Sequence, residues 1–256
     1  MRLATGGMIY KAALIWGAIA ASAFSEDFRV ESKVFVGKEV TTSVAVFNSG
    51  RVYDFISDPD EVTIFDPPGQ KFVILNAARH VKTEVALAEV DQFAQKIKTE
   101  ATARPVPLLV FLAAPTFEES FDEATGMLAL TSQWMDYEVK TAKPRHAGAA
   151  SMYADFSNWQ TKLNAMMNPG SLPPFARLSL NAALDHHLRL PTEVVLTRYA
   201  QSAGNRQVSI RAEHHVTWRL DDSDFKRIDA AGDELATARA VGLSEYRASV
   251  ATAAAK

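Results

Sequence analysis

Apolar and polar residues alternate through the first third of the chain. Val40, Thr42, Val44 and Val46 alternate with Thr41, Ser43 and Ala45, a period of two that sets one face of a strand on a core and the other toward water. Val34-Phe35-Val36 before Gly37 predicts a strand ahead of it. Asn48-Ser49-Gly50 is a turn signal, so Val40–Phe47 and Arg51–Ile56 are predicted to form a hairpin. Asp58-Pro59-Asp60 and Asp66-Pro67-Pro68-Gly69 punctuate two more runs, Val62–Phe65 and Phe72–Leu75, which extends the hairpin into an antiparallel meander.

The period then changes. Leu87, Val90, Phe93, Ala94 and Ile97 recur at helical spacing, and Pro105 and Pro107 end or kink that helix. Leu108–Ala113 is wholly apolar and fits a buried helix or a buried strand equally. Phe117–Asp122, Met127–Ser132 and Trp134–Thr141 predict three further strands, with a turn at Ala124-Thr125-Gly126. Residues 143–150 (KPRHAGAA) are the best linker candidate.

A helical pair follows. Phe156, Trp159, Leu163, Met166 and Met167 form one stripe, Asn168-Pro169-Gly170 stops it, and Pro173-Pro174 opens a second helix running to about His187. Thr192–Tyr199 and Val208–Leu220 predict two late strands around a turn at Ala203-Gly204-Asn205. Val208, Ile210, Ala212, His214, Val216, Trp218 and Leu220 share one face of the second, whose length implies a strongly twisted sheet. Asp222-Ser223-Asp224 caps a last helix through about Ala238, and Ser249–Lys256 reads as a loose tail. The expected fold is α+β: a curved, half-barrel-like antiparallel sheet packed with three to five helices, in one domain spanning residues 26–256.

The start of the chain reads differently. Arg2 and Lys11 supply positive charge, Ala12–Ala20 is apolar, and Ala21-Ser22-Ala23 supplies small residues for cleavage. Residues 1–25 are therefore expected to be a signal peptide that directs the protein to the periplasm or the medium. The apolar run is shorter than the stretch of about 20 residues that crosses a bilayer, and no membrane span is expected once it is removed. The sequence has no cysteine, which excludes disulfides and thiolate metal sites. Against 27 Lys+Arg stand 30 Asp+Glu, and removing residues 1–25 takes away two more basic groups. No basic block is left to gather phosphates, so nucleic acid is not an expected partner.

Candidate chemistry is sparse. His186-His187 and His214-His215 are adjacent pairs, but neighbours on a strand or helix point apart, so neither pair can hold a metal alone. One residue from each pair plus a carboxylate such as Glu213 could form a zinc site, but neither a metal nor another cofactor is expected. Glu119 shares a face with Phe117 and Phe121; burial there would raise its pKa and suit a general acid, whereas an edge position or pairing with an arginine such as Arg177 would not. Neither a G-x-S-x-G serine nor a phosphate-cradling glycine loop occurs. Tyr137, His214 and Trp218 are the candidate ligand-binding residues, as walls of an apolar cavity.

Nearly all of the chain after residue 25 resembles a group of exported bacterial proteins of unassigned function. The similar stretches are Val34-Phe35-Val36-Gly37, Val52-Tyr53-Asp54-Phe55, Phe117 to Asp122, Leu180-Asn181, Leu190-Pro191-Thr192 and Trp218-Arg219-Leu220. The order of meander, central helices and late strands also resembles the periplasmic lipoprotein-carrier (LolA/LolB-like) half-barrel. That resemblance implies a sheet around an apolar cavity plugged by helices. The leading expectation is a non-catalytic envelope protein that binds a lipid or other apolar ligand. Its rivals are a hydrolase or metal-dependent enzyme using His214 and Glu119, and a structural module that docks another envelope protein.

Overall fold

A computed structural model describes residues 27–57, 60–146, 148–168, 170–199 and 208–254. The proposed signal segment therefore lies outside the described residues, as do Asp58-Pro59 and the turn at Ala203-Gly204-Asn205.

The first meander comprises β1 (Phe28–Val36), β2 (Glu39–Asn48), β3 (Arg51–Ile56), β4 (Glu61–Asp66), β5 (Lys71–Asn76) and β6 (Val81–Ala86). Each pairs antiparallel with the next, and the predicted β2–β3 hairpin has Asn48 opposite Arg51. Helices α1 (Leu87–Thr102) and α2 (Pro107–Ala113) then carry the chain to the opposite edge of the sheet. The apolar run 108–113 is thus helical, with Pro107 in its first turn, where a missing N–H costs nothing.

A second meander, β7 (Glu118–Asp122), β8 (Met127–Thr131) and β9 (Met135–Ala142), runs back inward. The helical hairpin α3 (Ala149–Met167) and α4 (Phe175–His186) lies over the sheet, α3 against the first meander and α4 against the second, and β10 (Leu190–Arg198) and β11 (Val208–Thr217) close the gap to β1. Of the expected linker, Ala149 and Ala150 are the first two residues of α3. After α5 (Asp222–Thr237), the two-residue β12 (Arg239–Ala240) adds to β6 in parallel, and α6 (Leu243–Ala254) follows. The result is α+β: one open sheet of twelve strands, mostly antiparallel, with six helices among the described residues. No helix of the described residues is long and apolar enough to cross a membrane.

The late part of the chain corrects several expectations. β11 stops at Thr217 and not at Leu220: Arg29 of β1 faces Thr217, and β1 has only Phe28 beyond it. Trp218 and Leu220 therefore leave the strand. Helix α5 is capped by Asp221, whose side chain accepts from the Ser223 and Asp224 amides, while Asp224 returns the bond to the Asp221 amide at 3.0 Å. Arg29 of β1 ties both carboxylates to the sheet, at 3.0 Å to Asp221 and 2.8 Å to the fully buried Asp224. This helix is not the last, and residues 249–254 of the expected loose tail continue α6. β6 is a further strand beyond those expected, with Val81, Thr83 and Val85 alternating inward.

Three apolar clusters hold the layers together. Phe28, Phe47, Phe65, Phe72 and Val85 of the first meander meet Leu87 and Val90 of α1, Tyr153, Phe156 and Leu163 of α3, and Tyr246 of α6. Leu128, Leu130, Tyr137, Val139 and Val194 meet Phe111, Leu180 and Leu184. On the reverse face, Val62, Ile64 and Leu75 bury Ala231 of α5, with Leu235 packed alongside. The β4 strand is consequently buried on both sides, as Val62-Thr63-Ile64-Phe65 requires.

The turn between β7 and β8 depends on Gly126. Its φ is +71°, and an added Cβ would lie 2.9 Å from the Thr141 carbonyl oxygen. Replacing it with alanine is expected to cost about 1–2 kcal/mol, from left-handed strain plus displacement of the β9 backbone. A urea midpoint unchanged from wild type would contradict this.

Candidate functional site

A cavity of about 710 Å³ opens between the first meander, the second half of α3 and the start of α6. Ile56, Glu61, Thr63 and Ile74 form its floor. Strand alternation and register put them together: Ile56 pairs with Glu61, and Thr63 with Ile74. Gln160, Leu163, Asn164 and Met167 line the α3 wall at helical spacing, and Ser244, Tyr246 and Arg247 line the α6 wall.

Apolar and polar side chains share each wall of this groove. Tyr246 is fully buried and donates its hydroxyl to Glu61 Oε2 at 2.7 Å. Burial pushes the Glu61 carboxyl above its usual pKa, against the stabilising bond from Tyr246. Burial likewise raises the Tyr246 hydroxyl, and the neighbouring Glu61 adds to the effect. Gln160 donates to Asn164 Oδ1 at 3.3 Å, leaving its own carbonyl oxygen buried without a partner.

A second polar group lies under α3 and α4 on the same face of the sheet. Asp54 sits opposite Thr63 on one side and Ala45 on the other, and is 7% exposed. Its pKa is raised to about 6, chiefly by burial, with the Ser43 hydroxyl opposing the shift and the Glu61 charge adding to it. One oxygen of Asp54 has no partner among the described residues. On the same face, the Ser32 hydroxyl of β1 and His214 Nδ1 of β11 share a hydrogen bond of 2.9 Å. Burial, with the charge of Arg177 behind it, lowers the His214 pKa to about 4. Arg177 donates to Asn181 Oδ1 at 3.0 Å, and Asn181 also accepts from Ser157.

The expected ligand-binding residues are not brought together. Tyr137 is 4% exposed in the second apolar cluster, edge-on to Phe117. Trp218 packs on Phe28 and His146 at the first. His214 lies between strands and does not line the groove. Nor does His214 meet Glu119. The latter is exposed on β7, where His187 Nε2 lies 2.8 Å from it while stacking on Phe121. Arg177 is not its partner. The Ser32–His214 pair has no carboxylate orienting the imidazole, so it lacks the third member of a hydrolytic triad. His186 contacts His187 ring to ring, His215 is exposed, and no group of three metal-ligating side chains occurs among the described residues.

Sequence reasoning missed the groove residues Glu61, Gln160 and Tyr246. Only folding brings Glu61 and Tyr246 into contact, since they are 185 positions apart. Asp54 did carry a signal: it is a carboxylate on the inward face of β3, between Val52 and Ile56. No protein-family model matches this chain. A search of curated proteins finds no match to it either.

Proposed function

We propose that this chain is an exported, non-catalytic binding protein of the cell envelope that holds one small amphipathic molecule in the groove between the first meander, α3 and α6. The observation that carries the proposal is the groove itself. Its volume of about 710 Å³ falls within the roughly 300–1,000 Å³ typical of small-molecule sites. Ile56, Ile74, Leu163 and Met167 offer apolar surface, and Glu61, Gln160 and Asn164 offer a few convergent polar groups. The N-terminal sequence supports export, and the resemblance to periplasmic lipoprotein carriers points the same way. Topology cannot by itself assign a ligand, so the lining residues bear the weight.

Ser244 is exposed at the α6 edge of the groove, where a large side chain can block entry without touching the core. Ser244→Trp is expected to weaken binding of an environment-sensitive apolar dye about tenfold, roughly 1.4 kcal/mol, with an unchanged melting temperature. Dye titration of the two proteins checks this. Equal affinities would place the dye elsewhere and remove the support for a binding groove.

A further inference from the structure

We infer that the ligand of this groove carries a protonated amine, seated against Glu61 and Gln160, with its apolar body along Ile56, Ile74, Leu163 and Met167. The inference rests on the binding-groove reading and adds the chemical class of the ligand.

Hydrogen-bond bookkeeping leads to it. Several donors of the lining are already engaged within the protein: Tyr246 to Glu61 Oε2, Gln160 Nε2 to Asn164 Oδ1, and Asn168 Nδ2 to the Asn164 carbonyl at 3.1 Å. Among the lining residues around Glu61, what is left over is acceptors; outside the lining, Arg79 Nη1 is a buried donor without a partner. Gln160 Oε1 is buried with no donor, and Tyr246 engages only one Glu61 oxygen. Glu61 makes no ion pair among the described residues. Behind it lies Asp54, close enough for its carboxyl to feel the Glu61 charge.

The lining beside Glu61 is therefore short of donors, and Arg247 is its one cation among the described residues. An ammonium supplies three donors and no acceptor, so it can satisfy Gln160 and Glu61 together and neutralise the carboxylate. A hydroxyl supplies one donor and no charge. A carboxylate or phosphate would add acceptors and repulsion where both are already in excess. Two cations lie nearby without reaching Glu61. Arg79 acts on the Tyr246 hydroxyl from the short turn after β5. Arg247 lines the cavity but follows Tyr246 on α6, so its side chain leaves the helix about 100° around from the tyrosine. An anionic head drawn to Arg247 is the competing arrangement.

Calorimetry at pH 7 with n-octylamine, n-octanol and n-octanoate separates these cases, because the three probes have eight carbons each and differ in the head group. Octylamine is expected to bind about tenfold more tightly than octanol, with octanoate weakest. Glu61→Gln should weaken octylamine about tenfold and leave octanol within about twofold. Gln160→Met should move octylamine in the same direction, which keeps the test available if Glu61→Gln fails to fold. Preference for octanoate or octanol would overturn the amine assignment while leaving the groove standing. Binding of none of the three would overturn the groove reading and the amine with it.

Discussion

Replacing Asp54 with asparagine is expected to stabilise the protein by about 3 kcal/mol at pH 7.5 and to change little at pH 3.5. The carboxyl is buried in the fold, and its pKa rises from an ordinary 3.8 to about 6. Every tenfold gain in proton affinity on folding corresponds to about 1.4 kcal/mol. Between about pH 4 and pH 6 the folded state keeps a proton that the unfolded state has released. Stability from this group is therefore fully present below pH 4 and is lost as pH rises through 6. Above that, wild type holds a buried carboxylate with one oxygen unpartnered. Asparagine has nearly the same shape, still accepts from Ser43, and never ionises. Urea unfolding of both proteins at pH 3.5, 5 and 7.5 should show the difference growing with pH. Equal midpoints at pH 7.5 would mean that Asp54 is solvated or paired and not buried alone.

The meander is readable in the sequence because its strands are short, its turns carry Asn, Asp, Pro and Gly, and one face alternates. The same rule fails at Val208–Leu220. Alternation continues through Trp218 and Leu220, but a strand also needs a partner, and β1 has only Phe28 beyond the residue that faces Thr217. Periodicity says which face a residue would take and nothing about where the ladder stops. β6 shows the reverse case: Val81-Lys82-Thr83-Glu84-Val85 alternates, but it is short and directly precedes a clear helical stripe. The run 108–113 is undecided in sequence because a buried helix and a buried strand look alike when every position is apolar. Only Pro107 at the helix start, together with the packing of Phe111 and Leu112, separates them.

The groove is less legible than the fold for a physical reason. Aromatic residues draw attention as cavity walls, yet Tyr137 and Trp218 are absorbed into two different apolar clusters. What distinguishes the groove is unpaired polarity, and pairing is a property of the folded chain. Gln160 and Glu61 look like ordinary surface residues in sequence. They stand out only because folding brings both to one groove, where each keeps an oxygen without a donor from the lining. His214 does lie on the inward face of its strand, but its partner is Ser32 on the adjacent strand and not Glu119.

Replacing His214 with glutamine should reveal a pH dependence opposite to that of Asp54→Asn. The His214 pKa falls from an ordinary 6.5 to about 4, first through burial and then through the charge of Arg177. Between these values the unfolded chain binds a proton that the folded protein rejects. Stability from this group therefore grows as pH rises from 4 to 6.5, by about 3 kcal/mol. Asp54 loses a similar amount over nearly the same window, so the two contributions largely cancel in wild type. Glutamine keeps a polar partner for Ser32 but cannot take up the proton. Relative to wild type, His214→Gln should thus lose about 3 kcal/mol between pH 4 and pH 6.5, whereas Asp54→Asn gains about as much. Carrying both substitutions should restore a flat profile if the two sites titrate independently. Urea midpoints at half-unit pH steps measure all four proteins on one scale. A His214→Gln profile parallel to wild type would mean that the imidazole is free to protonate in the fold, and that the polar group beneath α3 and α4 is open to water.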